Sequence, residues 1–298
     1  EAAALYARAW ELQPALTHAL YLQGHALAQA GEGVPGRLRM QLARVLLLDT
    51  PERARLAREL AARGLVKAAR RERERFRDVG VPGAAYDQNL RRLARRYAAE
   101  GRYKDAVDAL VQADASLLAP NVNYVRTSGY LHAVAWRHHY LARHRLQQGD
   151  GARALAEARR AAALNPDSVD AFIGLVRAFD AADMSAAGDA LLAELTGVWE
   201  RLIERWPQAS AAYNNAAWLM ARCRRRLDRA QAYAEKAVAL APTSAAAMDT
   251  LAEVHFQSGR REEAVAWARK AAAQAPGDAF FQKRIDEFRT AELPAGPE

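Results

Sequence analysis

Arginine is the residue type in this chain best placed to do chemistry. Arg58, Arg95, Arg143 and Arg177 stand at the same place in four successive stretches of a recurring pattern, and Arg91 lies about one helical turn before Arg95. A guanidinium presents a planar fork of donors that grips a carboxylate or phosphate with two parallel hydrogen bonds. Trp136, His139, Asn214 and Trp218 fall at neighbouring places of the same pattern. Tryptophan and arginine are also the side chains that most often dominate protein–protein contacts. The set describes one of two things. It is a groove that grips an extended acidic peptide or a carboxyl terminus, or it is a charged face that is merely solvated.

Other chemistry has less to stand on. Cys223 is the only cysteine, so a disulfide framework and a cysteine-built zinc site are both excluded. Its neighbours Arg222 and Arg224 would lower the thiol pKa at an exposed site; an inert structural thiol is the other reading. His132, His138, His139 and His144 lie close in sequence. His138 and His139 point to different helix faces, and His132 joins His139 only if one helix runs unbroken through Gly129–Trp136, so no metal or haem is expected. The run Arg70, Arg71, Glu72, Arg73, Glu74, Arg75 alternates in sign and reads as an ion-paired helix surface, not a nucleic-acid tract. Phosphate-loop, nucleophile-elbow and zinc-protease motifs do not occur. Neither catalysis nor a cofactor is expected.

The elements that must position the arginines are helices. The 298 residues are 51% hydrophobic and 26% charged, enough to build a core. Much of the apolar fraction is alanine, the strongest helix former. The net charge of +8 is uneven: residues 1–149 carry 24 Lys and Arg against 14 Asp and Glu, while 150–298 carry 19 against 21. Arginine outnumbers lysine 38 to 5. Such an excess follows from GC-rich bacterial coding, or it marks an anion-attracting N-terminal half. No run approaches the roughly 18 apolar residues of a membrane span.

Two rulers give the period. Gly31, Gly64, Gly101, Gly149 and Gly259 are each preceded seven residues earlier by a small residue: Gly24, Ala57, Ala94, Ala142 and Ala252. Eight residues before four of these glycines stands Leu56, Leu93, Leu141 or Leu251, and five residues after the same four stands Ala69, Ala106, Ala154 or Ala264. Pro14, Pro166, Pro242 and Pro276 each follow alanines twelve and five residues earlier. Small residues let two antiparallel helices approach, glycine ends the first helix in a left-handed conformation, and proline ends the second. A helix pair of this kind is unstable alone and must stack on its neighbours.

These residues resemble the tetratricopeptide repeat family. The closest unit is Met248, Leu251, Ala252, Gly259, Ala264, Ala271 and Pro276, and Leu90, Leu93, Ala94, Tyr97, Gly101, Tyr103 and Ala106 follow. The resemblance implies an all-α fold, a right-handed α-solenoid of antiparallel helix pairs over residues 1–276. A half-repeat at 1–14 would precede repeats at about 15–50, 51–82, 83–118, 135–168, 169–207, 208–242 and 243–276, with an insertion at 119–134. Residues 277–298 would form a capping helix, with Phe281, Ile285 and Phe288 turned inward, and a frayed tail. The unit from 169 has a longer second helix, roughly Ala186–Trp206, and the turn Cys223–Arg226 lacks the glycine.

In this family partners lie along the face of the first helices. The resemblance therefore implies a protein- or peptide-binding scaffold whose ligand meets Arg58, Arg91, Arg95, Trp136, His139, Arg143, Arg177, Asn214 and Trp218. A partner that is a protein or peptide, acidic in character, is expected, and nucleic acid is not. The carboxylate clamp that binds chaperone tails is not carried over, because Ala246 and Thr250 follow Asn215 where cations belong. An accessory docking domain of a larger bacterial enzyme or cytochrome-associated protein is the alternative. Either reading fits a soluble protein of the bacterial cytoplasm or periplasm, of open oligomeric state.

Overall fold

The computed structural model describes residues 1–13, 16–46, 50–79, 84–118 and 128–294. Every element among them is a helix. In order they are α1 (Ala2–Leu12), α2 (Thr17–Gln29), α3 (Gly33–Leu46), α4 (Thr50–Ala62), α5 (Val66–Val79), α6 (Ala84–Ala99), α7 (Tyr103–Leu118) and α8 (Ser128–Gln147). There follow α9 (Gly151–Leu164), α10 (Val169–Asp180), α11 (Ser185–Arg205), α12 (Ser210–Arg222), α13 (Leu227–Leu240), α14 (Ala245–Gln257), α15 (Arg261–Gln274) and α16 (Ala279–Thr290). The chain divides into two compact units, Glu1–Ala133 and Val134–Glu298. Pro14, residues 119–127 of the expected insertion and residues 295–298 of the tail lie outside the described residues. Ser128 and Gly129, expected in the insertion, instead open α8.

The turns between paired helices explain the glycine ruler. Gly31, Gly64, Gly101, Gly149 and Gly259 all have positive φ, between 72° and 91°. The two pairs without a turn glycine reach the same conformation with other residues, Asp183 at φ 57° and Arg224 at φ 55°. In every case the next residue closes the helix by a backbone bond to the carbonyl five residues back. These bonds run from Glu32 to Leu27, Leu65 to Leu60, Arg102 to Tyr97, Asp150 to Arg145, Met184 to Phe179, Arg225 to Met220 and Arg260 to His255, at 2.8–3.0 Å. This satisfies carbonyls that a helix end leaves without partners. Prolines 166, 207, 242 and 276 stand two residues beyond the ends of α9, α11, α13 and α15.

The small residues lie where helices cross. Ala57, Ala94, Ala142 and Ala252 are buried, and on the second helices so are Ala69, Ala106, Ala154 and Ala264. A close crossing joins α2 to α3, where a Cβ on Gly24 would meet the Gly36 carbonyl oxygen at 2.6 Å. In the first unit Leu20, Tyr21, Leu22, Leu56 and Leu60 pack together under α3 and α5. In the second, one continuous core runs from Ala142 through Phe172, Phe179, Leu195 and Met220 to Val254. Phe256, Ile285 and Phe288 then seal α16 onto α14 and α15.

Candidate ligand-binding face

In the first unit α4 lies between α2 and α6, so the first helices of successive pairs are side by side. Arg58 on α4 and Arg95 on α6 follow the crossing alanines Ala57 and Ala94, which turns their side chains outward. Both are exposed, and neither makes an ion pair among the described residues. Arg91 differs. Its Nε donates to Asp87 Oδ1 at 2.8 Å and its Nη2 to Asp114 Oδ1 at 3.1 Å, so two acids of its own unit already hold it. Burial raises the Asp87 pKa above the usual carboxylate range, against the opposing pull of Arg91. Next along the wall, the Tyr21 hydroxyl accepts from Arg44 at 3.1 Å, and Arg44 also pairs with the buried Glu72 at 2.9 Å.

The second unit holds the other six expected residues. Trp136 on α8 is 38% exposed and meets the His139 ring edge-on at 5.1 Å. His139 is buried, and desolvation together with the nearby Arg143 charge pushes its pKa down to about 3. It therefore stays neutral, and its Nδ1 has no protein partner. A water-sized cavity lies against it, bounded by Trp136, Asn165, Ser168 and Phe172. Arg143 lies across Gly174, where an added Cβ would come within 2.9 Å of its Nη2. Arg177 donates to the Arg222 carbonyl at 2.7 Å, at the end of α12. Asn214 is half-buried, with Oδ1 unpartnered. Trp218 donates from Nε1 to Asp170 at 2.8 Å.

Beyond Trp218 the same face closes on itself. Asp249 and Glu253 on α14 take the places that arginines occupy in other units, and Arg284 from α16 enters between them. Arg284 donates to Asp249 at 2.9 Å and to Glu253, whose other oxygen accepts from Arg222 at 3.0 Å and from Gln257 at 2.8 Å. Arg222 and Arg284 both face the Trp218 ring. Sequence reasoning missed this network. The signal was the change of sign at Asp249 and Glu253, one turn apart on one face, with an arginine in the helix that follows.

Three other expectations meet the structure here. Cys223 is buried, and desolvation pushes its thiol up to about 12, so the arginines beside it do not activate it. The helix through His132 and His139 is unbroken, yet His132 is exposed and His139 buried, while His138 sits 2.5 Å from Glu157. Among the described residues no cluster of His, Cys, Asp and Glu could hold a metal, and no helix is long and apolar enough to cross a membrane. The run from Arg70 to Arg75 is only partly an ion-paired surface. Arg70 bonds Glu74 and Glu100, but Glu72 is buried, and Arg73 is half-buried without an acidic partner among the described residues.

Comparison with known proteins locates the repeat directly. Residues 224–283 match the model of the tetratricopeptide repeat. No curated protein matches the sequence. Among solved structures, a thermophilic TPR protein of Thermus thermophilus is 24% identical, with 68% of this chain and 98% of that one covered at a TM-score of 0.39. A tetratricopeptide repeat protein from Parabacteroides merdae is 15% identical, with 92% and 99% covered at 0.46. YrrB, described as a TPR protein with an unusual peptide-binding site, is 13% identical, with 66% and 91% covered at 0.31. The tetratricopeptide repeat match thus falls on residues 224–283, which the structure folds as stacked helical hairpins from α13 into α16.

Proposed function

We propose that this chain is a protein-interaction scaffold whose first unit docks an extended acidic segment of its partner on Arg58 and Arg95. The observation that carries the reading is the equivalence of the two side chains. They occupy the same repeat position on neighbouring helices, both are exposed, and neither makes an ion pair or side-chain hydrogen bond among the described residues, Glu59, which feels the Arg58 charge, being bonded to Arg63 instead. Adjacent packed helices lie about 8–10 Å apart. A peptide in the extended polyproline II form advances about 3.1 Å per residue with three residues per turn, so two carboxylates three residues apart share one face and would reach both guanidinium groups. Arg91, held by Asp87 and Asp114, is a support for that wall and not a free cation. In the second unit Trp136, Arg143, Asn214 and Trp218 offer aromatic and polar contacts. There Arg177 and Trp218 are already tied to their own chain, which favours the first unit as the acid-binding part.

Fluorescence anisotropy with a labelled peptide carrying glutamates three residues apart tests this. The double variant Arg58→Ala, Arg95→Ala should weaken binding about tenfold or more, since charge-assisted pairs contribute about 1.5–3 kcal/mol each. Arg177→Ala should change it little. Equal affinity in the double variant and the parent chain removes the proposal.

A further inference from the structure

A second cationic site lies on other side chains of the first unit. Lys67, Arg70, Arg71 and Glu74 of α5 and Arg96 of α6 line an open cleft with about 250 Å³ of space. That is below the roughly 300–1,000 Å³ typical of pockets for drug-sized molecules and suits a small ion with its water. The acids nearby are already engaged. Glu74 accepts from Arg70 at 3.0 Å and from the Tyr97 hydroxyl at 3.3 Å. Arg70 Nη1 donates to both oxygens of Glu100, at 3.1 and 3.0 Å, and Arg96 Nε donates to one of them at 3.3 Å. Lys67 and Arg71 make no ion pair among the described residues.

Arg96 also belongs to a second crowd of like charge. Arg73, half-buried on α5, feels Arg92 and Arg96, and burial with those two charges lowers its pKa. Arg92 is exposed, and neither it nor Arg73 has an acidic partner among the described residues. The cleft itself is lined by four cations (Lys67, Arg70, Arg71, Arg96) and one acid (Glu74), and Arg73 and Arg92 stand near Arg96. Like charges crowded around a cleft, with one of them partly withdrawn from water, oppose folding. A fold that keeps such a group gains from an anion that binds it.

We propose that this cleft between α5 and α6 binds a phosphoryl dianion through Arg71, Arg96 and Lys67, with Arg73 and Arg92 adding to its field. A carboxylate offers one charge and two oxygens, whereas a phosphoryl group offers about two charges and three acceptor oxygens, the better match to several converging guanidinium groups. The phosphoryl group comes from a phosphorylated side chain of a partner or from a small free phosphate. Arg96 lies about 100° of helix from Arg95, and the other lining residues are on α5, so the cleft uses none of the side chains assigned to the acidic peptide and stands without that reading, although Arg92, three residues before Arg95, borders both.

Isothermal titration calorimetry at constant ionic strength tests the proposal, with four probes: sodium pyrophosphate, a phosphoserine peptide, its unphosphorylated twin and oligonucleotides of increasing length. Both phosphoryl probes should bind. Arg71→Gln and Arg92→Gln, substitutions at exposed sites, should each weaken them about fivefold or more, and Arg58→Ala with Arg95→Ala should not. Tighter binding of the peptide points to a partner's side chain, and tighter binding of pyrophosphate to a free ligand. Pyrophosphate should also raise the melting temperature of the parent chain, while Arg73→Gln should raise it without ligand and reduce the further rise. The proposal fails if the unphosphorylated peptide binds equally, if the glutamine variants bind like the parent, or if oligonucleotides bind with an affinity that only grows with length.

Discussion

His139 shows how completely packing can overrule a side chain's usual chemistry. At the sequence level it is a titratable groove residue; in the fold it is a neutral ring wedged beside Trp136 and Tyr140 with Arg143 near it. The consequence for pH has a definite sign. Above its ordinary 6.5 the imidazole is neutral in both states and nothing is lost. Below 6.5 the unfolded chain takes up a proton that the folded chain refuses until about 3, so stability falls as pH falls through that window. The slope from this group approaches about 1.4 kcal/mol per pH unit. Thermal melts between pH 7.5 and 4.5 should show a shallower decline for His139→Leu than for the parent chain; parallel curves would remove His139 as the cause. Residue scale is also where the sequence was least informative. The Asp87–Arg91 pair, four residues apart on one helix, is written locally, but the second acid on Arg91 and the carbonyl on Arg177 come from 23 and 45 residues away, which no local pattern records.

At the scale of elements the sequence was far more legible, because a helix pair is set by local rules. Small residues mark the crossings and glycines the left-handed turns, and both rulers are written at fixed offsets. Asp183 and Arg224 mark the limit. They adopt the turn conformation without the residue that announces it, held by neighbours such as Arg225, which bonds Asp180 and Asp189 across the hairpin. The Gly24–Gly36 crossing separates two roles of glycine. A Cβ on Gly24 would lie 2.6 Å from the Gly36 carbonyl oxygen and 2.8 Å from the Met40 nitrogen, both backbone atoms that no side-chain rotation can clear. Gly64 has open space but a φ of +72°. Gly64→Ala should therefore cost about 1–2 kcal/mol of left-handed strain. Gly24→Ala should cost about 1–3 kcal/mol for overpacking, even after the gain of about 1 kcal/mol in helix propensity. Urea denaturation followed by circular dichroism gives both values. A stabilised Gly24→Ala would mean that α2 and α3 do not meet this closely.

At the scale of the whole molecule, stability in stacked hairpins is a chain of nearest-neighbour terms, so each element that covers a hairpin's open side matters beyond its size. The final hairpin, α14 with α15, has no further hairpin described after it, and α16 takes that place with an ionic plug set in an apolar seal. Phe256 and Phe288 pack ring to ring, while Arg284, with Arg222, balances the charges of Asp249 and Glu253. Burial raises the Asp249 pKa, whereas two arginines and Gln257 hold Glu253 below its usual value, so the guanidinium groups keep the charged form of Glu253. Arg284→Met keeps length and apolar bulk but leaves two buried carboxylates facing each other. Breaking a buried pair in this way costs about 3–5 kcal/mol. The loss should be local before it is global. Hydrogen exchange should accelerate in α14–α16 and, more weakly, in α12 and α13, which touch α14, while amides of α9–α11 keep their protection. Adding Asp249→Asn and Glu253→Gln to Arg284→Met should restore much of the protection, because two neutral amides do not repel. Uniform acceleration along the second unit would show instead that it opens as one block, and the nearest-neighbour description would have to be given up for that unit.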